Sequence, residues 1–220
     1  MRQANLFSFV EGLQFFSNSR QIMFLERKAK RNQEAGWIEV VCGSMFSGKT
    51  EELLRRLKRA QIAQQSVVIF KPQVDNRYSA DQVVSHDENA FDSTVVESAE
   101  QILLHATDID VVGIDEAQFF DEGIVDVCNK LANSGSRVIV AGLDMDFSGK
   151  PFGPMPFLMA IAEYVTKVHA ICVDTGQLAN HSFRLIDDNN QVLVGEKESY
   201  IPLSRNAFNA RLKRAKDQQS

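Results

Sequence analysis

WIEVVCGSMFSGKTEELLRRL, residues 37–57, is the stretch on which the fold is read. Residues 37–42 form a short β-rich apolar run that stops at Gly43. From 50 to 64, TEELLRRLKRAQIAQ puts Leu53, Leu54, Leu57, Ala60 and Ile62 or Ala63 on one helical stripe, with charges opposite. Between the predicted strand and helix stands Gly43-Ser44-Met45-Phe46-Ser47-Gly48-Lys49-Thr50, which satisfies G-x-x-x-x-G-K-[ST]. Gly43 and Gly48 let the backbone curl so that successive N–H groups face phosphate oxygens. The helix behind them offers its positive end to the same anion. Lys49 suits the β- and γ-phosphates, and the Thr50 hydroxyl suits Mg²⁺. Chance matches to such a motif rarely come with a flanking strand and helix, so the reading is phosphate binding.

Outward from this loop, β-rich runs alternate with helical ones. SVVIF (66–70), VVGI (111–114), RVIVAGL (137–143) and KVHAIC (167–172) read as strands. Helices are predicted over 98–106, 122–133 and 157–165, and the polar stretch 73–95 reads as a long loop. Alternation of this kind predicts an α/β fold, a parallel sheet flanked by helices on both faces. Beyond Cys172 the pattern changes. FRLI (183–186) and QVLVG (191–195) flank two Asp and two Asn and read as a β-hairpin, and the last dozen residues read as a frayed polar tail. Residues 1–35 show no clean period and a charged stretch at 26–34. They are expected to be a poorly ordered leader, with Met23 an alternative translation start. The division is then a leader (1–35), a nucleotide-binding α/β domain (36–170), a small subdomain (171–208) and a tail (209–220).

Composition narrows the function. Of 220 residues, 44% are hydrophobic and 24% charged, as in ordinary globular chains. Lys and Arg total 24 against 29 Asp and Glu, a net charge of −5, which disfavours a nucleic-acid partner but not the local binding of small phosphates. No run approaches the roughly 20 apolar residues of a bilayer span. Cys42, Cys128 and Cys172 are too few and too far apart for a disulfide framework, and no signal-peptide cleavage pattern follows the first residues. A cytoplasmic protein with reduced thiols is expected.

A second chemical signal is VVGIDEAQFF (111–120). An acid at the end of a buried apolar strand is costly unless it has a task there. Asp115 fits the Mg²⁺-linked carboxylate of P-loop proteins, and Glu116 is a candidate general base for a hydroxyl or a water. KPQVDNRYS (71–79), with Asp75 and Arg77, and GLDMDFSGKPFG (142–153) follow other strands, at the end of the sheet where open α/β sheets bind ligands.

Taken together, GSMFSGKT, KPxxDxRYS, SHD (85–87), DEAQFF (115–120), GLDMDFxGxPFG and the AE at 162–163 resemble the type II thymidine kinases, cytosolic enzymes with a RecA-like P-loop core. The resemblance runs from about residue 36 to 205. It implies that Glu116 takes the proton from the 5′-hydroxyl of thymidine. It implies an ATP site of Gly43–Thr50, Asp75, Arg77, Asp115 and Gln118, with Mg²⁺ held through Thr50 and Asp115. Thymidine would meet Phe147, the backbone of Gln191, Val192, Leu193, Val194 and Gly195, and Tyr200. This last segment belongs to a lasso that, in the family, a structural zinc clips through two Cys-x-x-Cys pairs. Here only Cys172 remains; Thr175, Ser204 and Ala207 take the other ligand positions, so zinc is expected to be absent. The resemblance also implies a homotetramer. Two rivals stay open: an ATPase in which Glu116 activates water, and a nucleotide-binding protein with little turnover.

Overall fold

The computed structural model describes residues 35–73, 82–84, 90–185 and 199–219. The sheet strands are β1 (Trp37–Gly43), β2 (Val67–Pro72), β3 (Gln82–Val84), β4 (Ala90–Val96), β5 (Val111–Ile114), β6 (Arg137–Leu143) and β7 (Tyr164–Val168). They form one seven-stranded sheet in the order β3-β4-β2-β5-β6-β1-β7. Six strands run parallel, and β3 lies antiparallel on β4. The phosphate-loop strand β1 and the acid-bearing strand β5 are thus separated by one strand, the RecA-like arrangement.

Both faces of the sheet are covered, which is why the strands read as near-continuous apolar runs. Val41, Ile69, Val111, Ile139 and Ala141 face helix α1 (Lys49–Ile62) and its Leu53, Leu54, Leu57 and Ala60. The alternate residues, among them Val40, Cys42, Val112, Ile114, Val138 and Val140, belong to the other cluster. There they join residues of α2 (Ala99–His105), α3 (Gly123–Asn133) and α4 (Met155–Ile161). Gly113 shows how close α1 sits: a Cβ there would come 2.8 Å from Leu57 Cδ1. Leu57 is fully buried, so Leu57→Ala falls in the class of core truncations costing about 2–5 kcal/mol.

One charged cluster interrupts the apolar layer on the α1 face. Glu39, fully buried in β1, accepts from Trp37 Nε1 (2.7 Å), Arg137 Nε (2.7 Å) and Arg56 Nη1 (2.7 Å). Arg56 donates onward to Thr166 Oγ1 of β7 (3.0 Å) and to Glu52 Oε1 (2.8 Å). Charges join β1, β6, β7 and α1 at the end of the sheet away from the phosphate loop.

After β7, β8 (Ala170–Ile171) pairs with β9 (Leu178–Ala179), and β10 (His181–Arg184) pairs antiparallel with β11 (Tyr200–Leu203). Helix α5 (Arg205–Gln219) follows. A separate cluster gathers Ala170, Cys172, Ala179, Leu203, Ala207 and Phe208.

The structure departs from the sequence expectations in five places. The stretch expected as one long loop, 73–95, contains β3 and most of β4. The helix expected over 157–165 ends at Ile161, and the strand after it starts at Tyr164 and closes the sheet. The expected hairpin of 183–186 with 191–195 lies partly outside the described residues; β10 pairs with β11 instead. The frayed tail is α5. Of the alternatives Ile62 and Ala63 for the end of the buried stripe of α1, Ile62 is 78% exposed and Ala63 half-buried, because α1 ends at Ile62, past the last sheet contact of Ala60. Residues 1–34 lie outside the described residues.

Candidate active site

The motif forms a loop between β1 and α1, as its spacing requires. Gly43 has φ 152°, and a Cβ there would stand 2.2 Å from the Val168 carbonyl oxygen of the adjacent strand, so only glycine fits. Phe46 (φ 62°) and Gly48 (φ 81°) are left-handed, which turns the loop back on itself. Lys49 Nζ donates to the Ser44 carbonyl at 2.7 Å, and so does Ser47 Oγ at 2.7 Å. Desolvation lowers the Lys49 ammonium below its ordinary value, while Glu116, Asp115 and Asp144 pull it back up.

Asp115 and Glu116 follow the end of β5. Thr50 Oγ1 donates to Asp115 Oδ2 at 3.3 Å and Oδ1 at 3.4 Å, which brings the motif hydroxyl and the carboxylate together. Burial, reinforced by the neighbouring Glu116 carboxylate, pushes Asp115 up to about 7, against the Glu116 N–H, Lys49 and Thr50, which favour its charged form. A hydroxyl and a carboxylate this close are an all-oxygen donor set of the kind that suits a hard cation such as Mg²⁺.

Glu116 is left-handed at φ 52°, a conformation that costs a non-glycine residue about 1–3 kcal/mol and collects at functional sites. Its backbone serves as the N-cap of a 3₁₀ turn (Ala117–Phe119). Its Oε2 accepts from Gln118 Nε2 at 2.6 Å, and Gln118 Oε1 accepts from the Leu143 N–H at 2.8 Å. Gln118, expected at the ATP site, therefore has its buried amide engaged between Glu116 and the end of β6.

Phe147 lies in the loop after β6 and Tyr200 at the start of β11, and Arg184 of β10 brings them together. Its guanidinium carbon stands 3.7 Å from the Phe147 ring centroid, and its Nε and Nη2 donate to Tyr200 Oη at 3.1 and 2.8 Å. The phosphate loop touches this region: the Met45 N–H donates to Ser182 Oγ at 2.9 Å. Asp75, Arg77 and Gln191–Gly195 lie outside the described residues.

Sequence reading missed Arg184, Ser182 and the Asp144–Lys167 ion pair at 2.5 Å. The available signal was polarity inside short apolar segments: an arginine ending HSFR, and an acid directly after RVIVAGL.

At the four positions that the resemblance assigns to zinc stand Cys172, Thr175, Ser204 and Ala207. Cys172 is buried, and burial pushes its thiol up. Donors from the Thr175 and Ser204 hydroxyls and the N–H groups of Ser204 and Asp174 outweigh that and bring it down to about 7. Ser204 Oγ also accepts from the Ala207 N–H at 3.4 Å, at the start of α5. His181, a conceivable substitute, stacks on Phe208 at 4.5 Å, and its Nδ1 meets Asn180 Oδ1 at 2.8 Å. Among the described residues no three His, Cys, Asp or Glu gather in a metal-binding group. None of the described helices is long and apolar enough to cross a membrane.

Comparison with known proteins bears on these residues as a set. A family model described as thymidine kinase matches residues 36–208. A protein of Bacteroides fragilis strain YCH46 named thymidine kinase is 60% identical over 187 residues, 85% of this chain and 94% of that one. Thymidine kinases of a Rhodothermus species (65% over 173 residues, 79% of this chain and 81% of that one) and of Porphyromonas gingivalis strain W83 (61% over 173 residues, 79% and 85%) are also similar.

Proposed function

This chain belongs to the thymidine kinase family, and from that premise we propose how its residues carry out the ATP-dependent phosphorylation of thymidine. The carrying observation is the Asp115–Glu116 pair at the end of β5, with one acid against the motif hydroxyl and the other held by Gln118. ATP sits on Gly43–Thr50, whose N–H groups and α1 N-terminus meet its phosphates. Thr50 and Asp115 hold Mg²⁺, which when bound neutralises charge on the phosphates. Lys49 leaves the Ser44 carbonyl for the phosphates and, with Arg77, spreads the charge of the transferring group. Glu116 accepts the proton of the thymidine 5′-hydroxyl as that oxygen attacks the γ-phosphorus; the phosphate passes to thymidine, and ADP leaves. Gln118 keeps the Glu116 carboxylate turned toward that oxygen. Phe147, Gln191–Gly195 and Tyr200 enclose the nucleoside.

We infer no structural zinc, because Thr175, Ser204 and Ala207 offer no thiolates. In its place Cys172 accepts from its neighbours, and α5 packs on the cluster beside it. A homotetramer is supported by the resemblance and by the exposed Tyr164 (41%) and Val165 (44%) on β7, an edge strand. A cytoplasmic setting agrees with three free thiols.

The test is incubation with ATP, Mg²⁺ and each deoxynucleoside in turn. ADP release that requires thymidine supports the reading; release without it points to an ATPase, and binding without turnover overturns the enzyme assignment.

A further inference from the structure

We propose that Arg184 is a positioning residue of the nucleoside site, fixing Tyr200 against Phe147 in the loop that follows β6. The inference rests on the reading above, in which Phe147 and Tyr200 meet thymidine. Arg184 and Tyr200 stand opposite each other in the β10–β11 ladder, and the Leu185 N–H to Ser199 carbonyl bond (2.8 Å) lies just beyond them. Among the described residues, Arg184 and Tyr200 are the last pair of the β10–β11 ladder.

Arg184 does more than close a ladder. It is 7% exposed, and a buried guanidinium must be met by acceptors or by aromatic faces. Here its plane covers the Phe147 ring at 3.7 Å while two of its N–H groups reach one phenolic oxygen, with the Tyr200 ring centroid 5.3 Å away. Stacking on one ring while donating from the edge to another residue is a geometry that a planar fork permits and an ammonium does not. The contact therefore sets the separation of two aromatic side chains that come from different parts of the chain.

The loop that carries Phe147 is itself held. Asp144 pairs with Lys167, and Asp146 Oδ1 accepts from the N–H groups of Ser148 (2.8 Å) and Lys150 (3.0 Å). One residue before Asp144, the Leu143 N–H binds the Gln118 amide that also holds Glu116. A continuous set of contacts thus leads from Tyr200 through Arg184, Phe147 and β6 to Glu116. Arg184 orients the pocket for the acceptor nucleoside relative to the proposed base, and it belongs to the thymidine side of the site.

Steady-state kinetics of R184M and R184K, with each substrate varied in turn, test this. In R184M, KM for thymidine should rise roughly 10- to 30-fold, as for loss of a desolvated cation–π and hydrogen-bonded contact, with KM for ATP within about twofold of wild type. R184K, which keeps the charge but not the fork, should recover only part of the loss. In an R184K/Y200F cycle the two effects should be non-additive, because the two residues act through one contact. Unchanged KM for thymidine in R184M, parallel rises in both KM values, or additivity in the cycle would each overturn the proposal. Should R184M not fold, the R184K/Y200F cycle decides by the same criterion. Wild-type protein without thymidine-dependent ADP release would overturn the functional reading and this inference with it; normal wild-type turnover with an unaffected R184M overturns this inference alone.

Discussion

Glu116 does its proposed work from a strained backbone, and its side chain accepts a hydrogen bond from the neutral amide of Gln118. Glu116→Gln is expected to keep ATP binding and lower kcat by about 10²–10⁴-fold, the usual contribution of a positioned base. A rise in KM for ATP at constant kcat would make it a binding residue instead. Gln118→Ala removes the amide that holds Glu116 Oε2 and leaves the half-buried Leu143 N–H without that acceptor. Its kcat should fall about tenfold or more with KM for ATP little changed, since small misplacements of a reacting group are expensive. Lys49→Ala should abolish transfer while circular dichroism shows the fold intact. Near-normal turnover in that variant would remove the phosphate-loop assignment.

Elements differ in how openly they announce themselves. β1, α1, β5 and β6 were legible because each is buried along its length, so apolar residues recur at the period that its geometry sets. β4 was not: it carries Asp92, Ser93 and Thr94 mid-strand and lies next to a short edge strand, so partial burial broke the apolar signal. α5 was hidden for another reason. Its basic, polar sequence has high helix propensity but little amphipathic contrast, and only Ala207, Phe208 and part of Leu212 reach the cluster beneath. Ser204, read only as a lost zinc ligand, was in hindsight the cue for its start. The candidate site divides the same way: contiguous motifs pointed to Lys49, Thr50, Asp115 and Glu116, which the fold brings together, whereas Arg184 depends on a strand pairing that no local pattern encodes. For α5, Phe208 is the anchor. It is 3% exposed, stacked on His181 and edge-on to Phe183 at 6.0 Å. Phe208→Ala should destabilise the protein by about 3 kcal/mol or more, checked by urea unfolding; a loss below 1 kcal/mol would show that α5 is not anchored there. Elemental analysis of the unmodified protein should find no stoichiometric zinc, and one zinc per chain would mean that other donors have replaced the lost thiolates.

At the scale of the whole molecule, the buried ions and the chemistry occupy opposite ends of the same strands. Removing one partner of the ions, as in Glu39→Gln, should cost about 3–5 kcal/mol, because two arginines then stay buried against a neutral amide. Turnover at low temperature should hardly change, since no reacting atom is near; a fall in kcat without a fall in melting temperature would contradict this. The placement also sets an order of events on heating. Charged groups hydrate less favourably as temperature rises, so the desolvation penalty shrinks for the Glu39 cluster and for Lys49 and Asp115 alike, but only the second end also carries the left-handed strain of Phe46 and Glu116. The strand ends at Trp37 and Arg137 should thus be the last to let go, and those at Gly43 and Leu143 the first. Thymidine phosphorylation should disappear several degrees below the loss of far-ultraviolet ellipticity, and brief heating into that interval should be reversible, because the half of the sheet that sets the register has not come apart.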